Sequence, residues 1–124
     1  MPITVTWHDE QERILLEIFE GEWGLDDYMQ MVDTAASLLS QKDHEVDIVV
    51  DFSNSKVVPR EIVTGARYAE KRVPPNQGTV IFVNAGALIS TYVGISKRLG
   101  FKASSRLENA SSVDEAIQKL NKLK

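Results

Sequence analysis

The chain has no cysteine, which excludes disulfides, thiolate nucleophiles and cysteine-held metals or clusters. The lack of any crosslink fits a reducing compartment, so a cytoplasmic protein is expected. No window approaches the roughly 20 consecutive apolar residues that a bilayer requires. Met1–Glu12 also lacks a basic start followed by an apolar core, so neither a membrane span nor a secretion signal is expected. There are only two histidines, His8 and His44, each beside acidic residues. They are too far apart in sequence to suggest a converging ligand set, and no metal site or cofactor is expected. Neither GxGxxG nor GxxxxGK occurs, so the glycine-rich phosphate cradles are missing. No strained nucleophile elbow supports a hydrolase, and no internal repeat or interdomain linker breaks the chain.

What is there suffices for one compact domain. At 124 residues and 43% hydrophobic content, the chain can bury a core without staples, and residues 1–124 are read as a single domain. The formal net charge of −4 hides an asymmetry: residues 1–54 carry 13 acidic and two basic side chains, residues 55–124 five acidic and 12 basic. The halves stand at −11 and +7, a separation that orients partners or favours contact between unlike patches unless the halves interleave in space. The acidic balance argues against nucleic acid.

Periodicity supplies the elements. Ile3, Val5 and Trp7 alternate with polar residues, and the run Arg13–Phe19 follows a polar turn, which predicts an antiparallel hairpin. Leu25, Tyr28, Met29, Val32, Ala35, Ala36 and Leu39 recur at helical spacing. Asp26 and Asp27 in the first turn and Lys42 past the end suit the helix dipole. Met31 and Leu38 widen the apolar arc, as a contact surface for a homodimer or as a face covered by the hairpin. Val46–Phe52 reads as a strand buried on both faces. A helix enters at Pro59 and carries Ile62, Ala66, Ala69 and Val73 before Pro74 and Pro75 stop it. Gly78–Val83 is a further strand, followed by a helix bearing Leu88, Tyr92, Ile95 and Leu99 and ended by Gly100. Phe101–Leu107 is a weak strand, and Ser112 with Glu115 forms a capping box that opens a last helix. The expectation is an α/β domain with a mixed sheet of about five strands, parallel apart from the opening hairpin, and four helices.

Three local features accompany this order: the strand end Asp51-Phe52-Ser53, the apolar strand running into Asn84 before a helix, and the ending Ser-Ser-Val-Asp-Glu-Ala. In these, and in element order along nearly the whole chain, the sequence resembles the STAS domain, the anti-sigma-factor-antagonist fold. The resemblance implies a regulatory module without enzymatic activity. It would contact a protein partner through the loop and helix after the central strand, with a phosphorylatable Ser or Thr at the helix start. Here Pro59 and Arg60 stand at that place, and the hydroxyls of Ser53, Ser55 and Thr64 fall elsewhere.

Two sets of candidate residues follow. Ser53, Asn54, Ser55, Lys56 and Val58 in the loop, with Arg60, Arg67 and Lys71 at spacings of seven and four, form a surface for a protein partner with an acidic face. Lys56 and Arg72 extend the basic stripe at its ends. Asp51, Asn84 and Gly86 should lie at the carboxyl ends of parallel strands, where open α/β sheets bind ligands. The alternative function is a small-molecule or lipid-binding carrier of the same fold, with a pocket lined by residues such as Trp23, Tyr28, Tyr68 and Tyr92.

Overall fold

A computed structural model describes residues 2–56, 60–86, 94, 98, 100 and 107–123. A five-stranded sheet has the order β1-β2-β3-β4-β5, formed by β1 (Ile3–Trp7), β2 (Ile14–Gly21), β3 (Val46–Ser55), β4 (Gln77–Val83) and β5 (Leu107–Ala110). β1 pairs antiparallel with β2, and every other pairing is parallel. The described helices are α1 (Leu25–Ser40), α2 (Ile62–Glu70) and α3 (Val113–Lys122). The expected helix bearing Leu88, Tyr92, Ile95 and Leu99 falls outside the described residues.

Period-two alternation sorts the central strands between two cores. Leu15, Phe19, Ile48, Val50, Phe52, Val80 and Phe82 join the α1 residues Tyr28, Met31, Val32, Ala35 and Leu39. On the opposite face Val49, Ile81 and Val83 meet Ala116 and Leu120 of α3. Each side chain that loses its exposure here contributes roughly 1.5–3 kcal/mol, which is why β3 and β4 read as nearly unbroken apolar runs. Tyr28 closes the gap between α1 and α2: a Cβ at Gly65 would lie 2.9 Å from its ring, so only glycine admits this approach.

Local signals fix the ends. Asp27 accepts the Gly24 N–H at 2.9 Å and opens α1, and Lys42 beyond α1 pairs with Glu12. Ser112 accepts the Glu115 N–H at 3.0 Å, as expected, but the Glu115 carboxylate turns to the amide and hydroxyl of Ser111. These bonds hold the Glu115 pKa below the usual value. At the β3–β4 irregularity the buried Asp47 accepts the Thr79 N–H at 2.9 Å.

Several expected boundaries are corrected. β3 runs on through Ser53, Asn54 and Ser55, because β2 continues past a bulge and offers Glu20 and Gly21 as partners. α2 starts at Ile62 rather than Pro59: Arg60 lies in a turn and Glu61 caps the helix, so regular structure begins at the first side chain that packs on the core. Of the expected strand 101–107, residues 101–106 lie outside the described residues, and β5 pairs Leu107–Ala110 with Val80–Val83. Met31 is buried and Leu38 packs against the core, so the arc proposed as a homodimer surface is already covered within the chain.

Because strand order follows chain order, β1, β2 and β3 lie to one side of β4 and β5 in the sheet.

Candidate functional site

The carboxyl ends of β3 and β4 bring Asp51, Ser53 and Asn84 together. The Ser53 N–H donates to Asp51 Oδ1 at 2.9 Å, and the Asn84 side-chain amide donates to Ser53 Oγ at 2.7 Å. Asn84 takes a positive φ of 56° and Gly86 one of 53°, so the chain turns sharply as it leaves β4, in a region that Asn and Gly tolerate best. Asp51 and Asn84 thus meet through Ser53, and both serve the local backbone and its neighbours. Gly86 is exposed two residues further on, and the amides expected to follow it lie outside the described residues.

Ser55 points inward, its hydroxyl oxygen accepting the Trp23 indole N–H at 2.9 Å. The Lys56 N–H donates to the Gly21 carbonyl at 2.9 Å. These two bonds tie down the strand end and leave Ser53, Asn54 and the Lys56 side chain exposed. Val58, with Val57 and Pro59, lies outside the described residues. Among the described residues of the predicted docking set, Ser55 is therefore the one that is partly withdrawn from the surface.

Arg60, Arg67 and Lys71 are all exposed, but they do not share one helix. Arg67 is helical, Lys71 caps the C-terminus and Arg60 precedes the N-cap. The spacing of four keeps Arg67 and Lys71 on one face. Among the described residues, no ion pair reaches Lys56, Arg60, Arg67 or Lys71. Arg72 differs from the stripe it was expected to extend. Its guanidinium lies 3.4 Å from the Tyr68 ring centroid, and its Nε is 3.4 Å from Asp33 Oδ1. Tyr68 in turn donates its hydroxyl to Asp33 at 2.7 Å, a bond that raises the phenol pKa. Arg72 is thus neutralised within the chain, and Tyr68 is turned to this surface pair rather than to a pocket.

Sequence reasoning missed Glu17. It lies on β2 between Leu15 and Phe19, with Val5 and Val50 as cross-strand partners, and it is 6% exposed. Desolvation pushes its pKa up to about 8. The signal was available: in ILLEIFEG the same parity places Leu15, Glu17 and Phe19 on one face. Glu17 borders a cavity of about 100 Å³ between the sheet, α1 and α2. Of the aromatics expected in a pocket, Tyr28 lines this cavity. Trp23 is buried in the aromatic cluster with Phe19 and Phe52, and Tyr92 lies outside the described residues. No group of three or more His, Asp or Glu among the described residues is arranged to hold a metal ion. No helix among them is long and apolar enough to cross a membrane.

No protein-family model matches the sequence, and a search of curated proteins found no match. Solved structures do match. The phosphorylated form of the Bacillus cell fate determinant SpoIIAA superposes with a TM-score of 0.57 at 13% identity, covering 95% of this chain and 98% of that one. The unphosphorylated form of SpoIIAA, described as an anti-sigma factor antagonist, gives a TM-score of 0.59 at 13% identity, covering 97% of this chain and 96% of that one. At this identity the likeness speaks for architecture: the chain has the α/β fold of SpoIIAA along nearly its whole length.

Proposed function

We propose that the protein is a non-enzymatic, cytoplasmic regulatory module that docks an acidic protein partner. The contact runs from the end of β3 (Ser53, Asn54, Lys56) across the connection containing Val58 to Arg60, Arg67 and Lys71. The observation that carries this reading is the set of four exposed cations with no ion pair among the described residues, beside a strand end fixed by the Trp23–Ser55 and Gly21–Lys56 hydrogen bonds. Guanidinium groups supply forked, charge-assisted bonds to carboxylates. The rigid strand end limits the ordering cost on binding.

The SpoIIAA likeness supports a protein-binding role, since an anti-sigma factor antagonist is named for its protein target. Pro59 and Arg60 stand where the resemblance places a phosphate acceptor. In this reading the site carries a permanent positive charge instead of a switchable negative one. The small-molecule reading draws on a separate feature, the Glu17 cavity. At about 100 Å³ it is below the roughly 300–1,000 Å³ of drug-sized ligand sites, which favours a molecule of a few heavy atoms over a lipid.

The test is a quantitative pull-down with wild type and the double variant Arg60→Glu, Arg67→Glu. The expected result is a specific acidic partner enriched by wild type and lost from the variant, with the variant's circular dichroism and unfolding midpoint unchanged. Equal enrichment by a folded variant would remove these arginines from the interface.

A further inference from the structure

Glu17 is an acid in an apolar layer. Its strand neighbours on the same face are Leu15 and Phe19, its lateral neighbours are Val5 and Val50, and α1 and α2 cover that face. Among the described residues no hydrogen bond or ion pair reaches its carboxyl group, and burial alone accounts for its raised pKa. Buried polar groups are nearly always partnered, and one that is not calls for an explanation. The cavity beside it supplies one.

The wall of that cavity is formed largely by Phe19, Met31, Val50, Phe52, Ile62 and Phe82. An apolar cavity of about 150 Å³ holds benzene, so about 100 Å³ fits a branched body of four or so carbons. Among the described residues, the charged ones lining it are Glu17, Glu70 and Arg72, and Arg72 is already engaged by Asp33 and the Tyr68 ring. Of the three, Glu17 is the buried one. A hydrocarbon would leave the Glu17 carboxyl unpartnered, and an anionic ligand would bring no charge that lets it ionise. An ammonium group supplies three donors to one carboxylate, and in this setting it favours the ionised acid.

We propose that the cavity between the sheet and helices α1 and α2 is a binding site for a small primary alkylamine, held by its ammonium group against Glu17 and by its carbon body against the apolar wall. The site deepens the small-molecule reading above and rests on it. It uses none of Lys56, Arg60, Arg67 or Lys71, so the docking surface stands or falls separately.

The experiment titrates isotopically labelled full-length protein with isobutylamine at pH 9, above the Glu17 pKa of about 8 and below that of an alkylammonium group, about 10.4 for lysine, with isobutanol as the uncharged isostere, and follows the Met31, Val50 and Ile62 methyl resonances. A charge-assisted bond should make the amine bind about tenfold or more tighter than the alcohol, and Glu17→Gln should remove that difference. In the unsubstituted protein the carboxyl-carbon titration of Glu17 should move to lower pH when amine is added, a readout that survives even if the variant folds poorly. Alcohol bound as tightly as amine, with Glu17 unmoved, would refute the amine and keep a small-molecule cavity. No methyl shift with either probe, or shifts confined to exposed acidic side chains, would refute both.

Discussion

Glu17 should make the stability of this protein fall as pH rises. The carboxyl pKa is about 8 in the folded chain against 4.5 for a solvated glutamate, so between these values the unfolded state has released its proton and the folded state still holds it. Unfolding then liberates a proton, and stability declines by up to about 1.4 kcal/mol per pH unit. Below both values the acid is protonated in either state and contributes no slope. From pH 5 to pH 8 the loss integrates to about 3 kcal/mol, a large share of the roughly 5–15 kcal/mol that holds a domain together. Glu17→Gln keeps the shape and removes the titration. Urea unfolding of both proteins at pH 5, 6.5 and 8 isolates the effect, because His8, His44 and every other titrating group are common to the two. The stability difference should grow steadily in favour of the glutamine variant as pH rises. Parallel curves, diverging by less than about 1 kcal/mol across the series, would show that the carboxyl is solvated or partnered and that the reasoning fails.

Two substitutions test the packing that positions the site. Gly78→Ala would place a Cβ 2.2 Å from Asp47 Oδ1, displacing the buried carboxylate that accepts the Thr79 N–H. A loss of about 1.5–3 kcal/mol in urea unfolding is expected. Gly65→Ala would gain about 1 kcal/mol of helix propensity, but its Cβ meets the Tyr28 ring at 2.9 Å. That ring is held at 6.0 Å from Trp23 and 6.4 Å from Phe19. Overpacking of roughly 1–3 kcal/mol should win, so thermal unfolding should shift downward, and an upward shift would show that α2 can move away from α1.

Much of the architecture was legible because burial imposes a period on the sequence. Alternation in Ile3–Trp7, unbroken apolar runs in β3 and β4, and the three-and-four spacing of Leu25–Leu39 each answer to one face that must leave water. Boundaries were less legible because partners distant in sequence set them. Ser53–Ser55 is polar and reads as a loop, yet it is strand because Glu20 and Gly21 lie alongside it beyond a bulge. Arg72 looked like part of a free basic stripe, but its partner Asp33 is on another helix. Asp51 comes near Asn84 because it pairs with Val83, the residue before Asn84, on the neighbouring parallel strand, whereas the Ser53 bridge between them is a side-chain geometry that spacing does not encode. Glu17 is a different case: its parity places it on the buried face with Leu15 and Phe19, but an acid inside a hydrophobic run has no periodic signature of its own.

The most direct test of the docking surface is photo-crosslinking from Asn54, which is exposed at the end of β3, with a control probe at exposed Gln118 on α3. The account predicts one partner captured from Asn54 and not from Gln118, crosslinked through an acidic segment, its yield falling as salt rises. Capture from Gln118 with none from Asn54 would put the partner on the wrong face of the sheet and contradict the account.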